Sequence, residues 1–72
     1  IADCILLPRR TSDPGIILEL KYNGSVDEAL EQIEKKNYVS GIPNKTKQII
    51  LVGINYNKKT KRHECKMKAI RR

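Results

Sequence analysis

Two acidic residues and one lysine stand out in the first third of the chain. Glu19 and Lys21 are two residues apart in the apolar run Ile16–Tyr22, so both side chains project from the same face of a strand. Asp3 interrupts the largely apolar run Ala2–Leu7 in the same way. Placing charges among aliphatic side chains is costly unless the charges are paired or hold a metal ion.

This trio suits hydrolysis of a phosphodiester bond. The carboxylates of Asp3 and Glu19 can hold a hard divalent cation such as Mg2+ or Mn2+, which polarises a phosphate and lowers the pKa of a bound water. Lys21 can orient that water or stabilise the developing negative charge. The structural alternative is an ion pair between Lys21 and Glu19 at a strand end, with Asp3 solvated. The spacing alone favours this alternative, because the pattern is loose.

Two strands must position the trio. The first, Ala2–Leu7, stops at Pro8, and the polar turn Arg9–Gly15 follows, in which Pro presets φ and Gly tolerates positive φ. The second strand, Ile16–Tyr22, lies antiparallel to the first because the connection is short.

A helix is expected after Ser25, because Ser25 and Glu28 match a capping box. The helix should end near Asn37. Its apolar residues recur at helical spacing and form one face: Val26, Ala29, Leu30 and Ile33.

Two more strands complete the predicted order, β-β-α-β-β. The run Gln48–Ile54 is typical of a strand buried on both faces, and it should pair parallel to the second strand through a right-handed crossover. A turn around Asn57–Lys59 leads to the last strand, in which alternate residues share a face: His63, Cys65, Met67 and Ala69. The fold class is α/β with a mixed sheet. Since one helix covers one face only, a preceding segment or a second copy of the chain must cover the other, and we expect a homodimer or a domain-swapped oligomer.

The charge balance favours a polyanionic partner. Fifteen Lys and Arg against eight Asp and Glu give a net charge of +7, which favours nucleic acid, and less strongly an acidic membrane surface or protein. Basic residues concentrate near the end of the chain, and Arg62, Lys66 and Lys68 are the candidate phosphate contacts. Such a run is more often a solvated face. With three tyrosines and no Trp or Phe, an extensive base-stacking platform is not expected.

Other functional classes have weaker support. The sequence has no apolar stretch long enough to span a bilayer and no signal peptide, and an intracellular, cytoplasmic location is the expectation. Cys4 and Cys65 lack zinc-site spacing, and we expect unpaired thiols. A small secreted, disulfide-linked protein would require these two cysteines to pair. The chain starts at Ile1 without a methionine, so we expect a fragment of a longer protein.

Several segments in order resemble the PD-(D/E)XK nuclease superfamily. They are Ala2-Asp3 before an apolar run, the stretch from Pro14-Gly15 to Glu19-Leu20-Lys21, Ala29 to Ile33, and Lys36-Asn37-Tyr38. More narrowly, they resemble the nuclease-like domain that often follows an AAA-ATPase-like module. The similarity runs from Ala2 to about Tyr56, so residues 1–72 are expected to form a single domain of this kind.

The resemblance implies a restriction-endonuclease-like core and metal-dependent cleavage of DNA or RNA. It makes Asp3 and Glu19 metal ligands together with the carbonyl of Leu20, and it assigns Lys21 to the nucleophilic water. It places Gln32 at the active site, although the helical pattern alone fits a surface glutamine equally well. The sequence departs from the family at Ala2, where the motif has proline, and in lacking the family's first helix and strand. The alternative is an inactive nuclease-fold module for nucleic-acid binding or protein assembly.

Overall fold

The computed structural model describes residues 2–36 and 38–72, with side chains from 4 onward in those ranges. Its helices and strands are β1 (Ala2–Leu6), β2 (Gly15–Tyr22), α1 (Val26–Lys35), a 3-10 segment (Tyr38–Gly41), β3 (Gln48–Asn57) and β4 (Arg62–Arg71). Within these residues, no helix is long and apolar enough to cross a membrane.

The four strands form one sheet in the order β1-β2-β3-β4. β2 pairs antiparallel with β1 and parallel with β3, and β4 returns antiparallel to β3. The predicted α/β class, with a mixed sheet and one α-helix, is confirmed. β3 is longer than the predicted strand because pairing continues beyond the apolar run, with Asn55 opposite Lys21 and Tyr56 opposite Tyr22.

The N-terminus of α1 has the predicted cap. Ser25 is in an extended conformation, and its Oγ accepts a hydrogen bond of 3.0 Å from the backbone N–H of Glu28. This bond satisfies one of the backbone donors that a helix start leaves unpaired. The predicted apolar face is confirmed: Ala29, Leu30 and Ile33 are buried and Val26 is half-buried. The predicted helix end near Asn37 falls on a residue outside those described.

The hydrophobic core lies between α1 and one face of the sheet. Ile17, Ile49 and Leu51 of the sheet pack with side chains of α1 and with Ile42, which follows the 3-10 segment. Ile42 also covers Gly15, where a Cβ atom would lie 2.9 Å from the Ile42 Cδ1. The sequence pattern did not predict this contribution, because Ile42 stands alone in a polar loop.

Gly53 in β3 allows α1 to approach the sheet closely. A Cβ atom at this position would lie 2.9 Å from the Val26 carbonyl oxygen and 3.0 Å from the Ala29 Cβ. Both distances are shorter than ordinary van der Waals contact. The first turn of α1 therefore rests directly on the backbone of β3.

The opposite face of the sheet, which we call the helix-free face, is apolar and partly exposed. None of its described residues is buried, whereas the α1 face of β3 is buried at alternate positions. Leu20 is 48% exposed and Met67 is 68% exposed on this face. The strand register places these side chains there: Ile16, Leu18 and Leu20 of β2, Ile50, Val52 and Ile54 of β3, and Cys65, Met67 and Ala69 of β4.

We predict that Gly53→Ala lowers the free energy of unfolding by about 1–3 kcal/mol, because the added methyl group forces α1 away from the sheet. Urea denaturation followed by circular dichroism measures the change. Gly41→Ala is the matched control, because a Cβ at Gly41 meets no atom within 4 Å and its φ is not positive. This control should leave stability unchanged or raise it by up to about 1 kcal/mol. Equal stability of both variants would contradict the close packing at Gly53.

Candidate active site

Glu19 is a buried carboxylate under the helix. It lies on β2 between Ala2 of β1 and Gly53 of β3 in the strand register. Its relative exposure is 0%, and it shares the α1 face of the sheet with Ile17. Since α1 rests on Gly53, the helix covers the sheet directly beside this carboxylate. A carboxylate in such a position requires compensating interactions with its charge.

Lys21 follows Glu19 on the same face, close to the end of β2. It is half-buried, and its register partner on β3 is Asn55. A Cβ atom placed on Gly24 would lie 3.7 Å from the Lys21 Cβ, 3.8 Å from the Asn55 Oδ1 and 3.4 Å from the Glu28 Oε1. Lys21, Asn55 and Glu28 therefore converge around Gly24, an exposed residue whose lack of a side chain leaves this corner open.

Asp3 lies in β1 at an irregularity of the sheet. Ala2 pairs with Glu19 and Cys4 pairs with Leu18, so Asp3 is an extra residue opposite the Glu19–Leu18 step. β-bulges of this kind re-aim side chains and occur next to active sites. The backbone thus brings Asp3 beside the strand of Glu19, and the Asp3 side chain lies outside those described.

Leu20 and Gln32 occupy different positions relative to Glu19 and Lys21. Leu20 stands between Glu19 and Lys21, so its main chain lies next to both residues while its side chain is on the helix-free face. Gln32 is half-buried on α1, one turn after Ala29, which lies against Gly53. The structure therefore places Gln32 on the covering helix rather than on the strand that carries the charges.

Asn55 is a candidate site residue that the sequence reasoning missed. It is 1% exposed on the α1 face of β3, and its Oδ1 accepts a 2.9 Å hydrogen bond from the Gly24 N–H. Its Nδ2 is also buried and has no hydrogen-bond partner among the residues that the structure describes. The signal available in the sequence was the amide side chain of Asn55, two residues after Gly53 in an otherwise apolar strand. Its meaning depends on the register with Lys21, which the sequence pattern does not provide.

A family model with the description PD-(D/E)XK nuclease superfamily matches residues 1–66. The chain belongs to the PD-(D/E)XK nuclease superfamily. The matched range extends from β1 into β4 and includes Asp3, Glu19, Lys21, Gln32 and Asn55. Neither a curated protein nor a solved structure is significantly similar to the chain.

Nucleases of the PD-(D/E)XK superfamily generally use divalent metal ions, so the donor atoms at this corner need to suit one. Glu19 offers carboxylate oxygen and Leu20 a backbone carbonyl, and oxygen donors of this kind suit Mg2+ and Mn2+. Within the described side chains, no cluster of three or more His, Cys, Asp or Glu residues forms a metal site. The chemistry of these donors fits a hard cation.

The basic residues predicted to bind nucleic acid lie on β4. Lys66 pairs with Asp27 at 2.9 Å and Lys68 pairs with Glu34 at 2.8 Å, so both lysines join β4 to α1. These pairs are exposed, and surface pairs of this kind contribute at most about 1 kcal/mol. Arg62 is the first residue of β4, where it is exposed and pairs in register with Asn57. Arg62 is thus at the Lys21 end of the sheet, whereas Lys66 and Lys68 lie further along β4.

The two cysteines are free. Cys4 is on β1 and Cys65 is on β4, which are the two edges of the four-stranded sheet. Three strand spacings of about 4.8 Å each separate these edges, a distance that a disulfide cannot span. This geometry argues against the disulfide-linked alternative.

We predict that Asn55→Ala lowers the free energy of unfolding by about 1–3 kcal/mol, because the variant removes a buried amide whose Oδ1 accepts the part-buried hydrogen bond from the Gly24 N–H. Asn57→Ala is the control, since the Asn57 Oδ1 also accepts from backbone N–H groups, those of Lys59 and Thr60, but at an exposed turn that water can reach. It should cost less than about 1 kcal/mol. Urea denaturation compares the two, and a larger loss for Asn57→Ala would refute the structural importance of the buried amide.

Proposed function

We propose that this chain is a metal-dependent nuclease domain that hydrolyses phosphodiester bonds in DNA or RNA, as an endonuclease with a restriction-endonuclease-like core. The observation that carries the proposal is that a fully buried carboxylate, Glu19, and Lys21 lie on the same face of β2 in a member of this superfamily. A buried charge contributes little to stability compared with an apolar residue of similar volume, which favours a functional reason for Glu19.

Asp3, Glu19 and the Leu20 carbonyl are the proposed ligands of a Mg2+ or Mn2+ ion. When bound, such an ion polarises the phosphate and supplies an activated water at neutral pH. Glu19 contributes negative charge from a fixed position, because the packing of α1 on Gly53 holds the surrounding backbone. Little reorganisation is then required when the substrate arrives.

Lys21 and Asn55 act on the substrate side of the site in this proposal. The Lys21 ammonium orients the attacking water or stabilises the negative charge that develops on the phosphate. Asn55 is a positioning residue: its Oδ1 holds the Gly24 N–H and thereby the connection that follows Lys21. Gln32 is the residue of α1 that we propose to contact the site from above the sheet.

An inactive nuclease fold that binds nucleic acid without cutting it is the second candidate. The net charge of +7 supports this function independently of Glu19 and Lys21. Cleavage separates the two candidates, whereas binding does not.

We predict that the chain cleaves plasmid or single-stranded substrates in Mg2+ or Mn2+, and that EDTA abolishes cleavage. Glu19→Gln and Lys21→Met should each reduce the rate at least about a hundredfold, because each removes charge from the reacting centre while roughly preserving side-chain size. Gel electrophoresis of the products measures the rate.

The matched controls are Glu31→Gln and Lys35→Met, which make the same changes at exposed positions of α1. Both should retain wild-type rates. Cleavage that survives in Glu19→Gln would reject the assigned site. A folded wild-type chain that binds nucleic acid without cutting it in either metal would favour the second candidate.

We also propose that the helix-free face mediates self-association into a homodimer. Exposed Leu20 and Met67 on a broad apolar face give such a contact a hydrophobic driving force. Sedimentation velocity over a range of concentrations should show a dimer, and Met67→Glu should weaken it by placing a charge in the contact. A chain that remains monomeric at every concentration would exclude the dimer.

A further inference from the structure

Three rings form a row across one end of the helix-free face. Tyr22 of β2 and Tyr56 of β3 are stacked, with ring centroids 5.8 Å apart and an angle of 29° between their planes. His63 of β4 extends the row, with its ring centroid 4.8 Å from that of Tyr56. The strand register accounts for the row, because Tyr56 pairs with both Tyr22 and His63. We call Tyr22, Tyr56 and His63 the ring row.

Both ends of the ring row are accessible. Tyr22 is 60% exposed, and the pairing of β1 with β2 reaches only as far as Ala2 and Glu19, so no described strand residue lies beside Tyr22 on that side. His63 is exposed on the edge strand β4. Tyr22 and His63 therefore expose aromatic surface that the contacts within the row do not cover.

Positive charge lies directly next to the ring row. Lys58, Lys59 and Lys61 are exposed in the turn between β3 and β4, and Arg62 follows them. The groove beside the turn has a volume of about 530 Å3 and is lined by Asn23, Asn57, Lys58 and Lys59. The groove offers cationic and amide groups, which suit phosphate oxygens and the polar edges of bases.

The groove is held in place by the backbone at Asn23. Asn23 has a φ of 55°, a left-handed conformation that asparagine tolerates. Its N–H donates to the Tyr56 carbonyl at 2.7 Å, and its Oδ1 accepts from the Lys58 N–H at 2.8 Å. These two bonds tie the end of β2 to the cationic turn, so the backbone of the turn is held beside the strand ends that carry Tyr22 and Tyr56.

We propose that the ring row stacks an unpaired base of a single-stranded nucleic acid while the cationic turn, residues 58–62, holds the adjacent phosphates. Single-strand binding sites combine positive grooves with aromatic stacking in this way. A base inside a duplex has both faces covered by its neighbours and cannot stack on a side chain without being extruded. The inference rests on the proposed function in one respect: it names unpaired nucleic acid as the substrate class of the same chain.

The ring row lies close to the proposed catalytic corner. Tyr22 follows Lys21 directly, and one residue of a strand spans about 3.3 Å. Successive side chains point to opposite faces, so a nucleic acid strand that stacks on Tyr22 and reaches Lys21 has to pass around the end of β2. A flexible single strand can make this turn more easily than a duplex.

The test uses a new fluorophore in the full chain, which has no tryptophan of its own. Tyr22→Trp places an indole at the accessible end of the row, where a stacked base should quench its emission when a short oligothymidylate is added in EDTA. Glu31→Trp is the control at an exposed position of α1, on the other side of the sheet from the ring row, and its emission should not change. Emission of Tyr22→Trp that is unchanged at saturating oligothymidylate overturns the proposal.

Affinity provides the second measurement. Fluorescence anisotropy in EDTA should show that wild type binds labelled oligothymidylate more tightly than a duplex of the same length. Tyr22→Leu should weaken single-strand binding about tenfold and leave duplex binding unchanged, whereas Tyr22→Phe should retain both. Equal losses for single strand and duplex, or no loss, would reject base stacking at Tyr22.

These outcomes are independent of cleavage, because EDTA prevents metal-dependent hydrolysis. A chain that quenches Tyr22→Trp but never cuts supports the ring row and rejects the nuclease proposal. A chain that cuts with no preference for unpaired bases, and without Tyr22→Trp quenching, supports the nuclease proposal and rejects the ring row.

Discussion

The contact between α1 and Gly53 is the constraint on which the rest of the structure depends. A side chain at this position would separate the helix from the sheet, and the helix lies beside Glu19 only because none is present. The parallel pairing of β2 with β3 then places Lys21 opposite Asn55, and both residues lie near Gly24. Backbone packing thus determines the surroundings of the Glu19 carboxylate and of Lys21 on the same face of β2.

β2 contributes to two surfaces with different physical character. Its residues alternate between the α1 face, where Glu19 is buried beside Ile17, and the apolar helix-free face, where Leu20 is exposed. β4 divides in the same manner: Lys66 and Lys68 form ion pairs with α1, while His63 and Met67 face the other way. The period of two along a strand is sufficient to place the proposed catalytic residues and the ring row on opposite sides of one sheet.

The elements could be predicted where one local rule decides them. The Ser25 cap and the apolar face of α1 follow from side-chain spacing, and the mixed sheet follows from the short first connection and the helical second one. Asn55, Ile42 and the ring row could not be predicted, because each depends on cross-strand register or on a loop packing over distant residues. Tyr22 and Tyr56 are more than thirty positions apart in the chain and become neighbours only through parallel pairing. The spacing of Glu19 and Lys21 indicated a shared face, but the packing of α1 determines that Glu19 is the more deeply buried.

Asn23 links two parts of the chain that are distant in sequence. Its backbone and side chain bond to Tyr56 and Lys58, so the connection after β2 and the turn after β3 open or close as one unit. Thermal fluctuations at this end of the molecule should therefore be cooperative, with the amide protons of Asn23 and Lys58 exchanging at correlated rates. A ligand bound to the cationic turn would reduce the motion of the segment that follows Lys21. Binding at the turn would therefore order this segment without a change in its average structure.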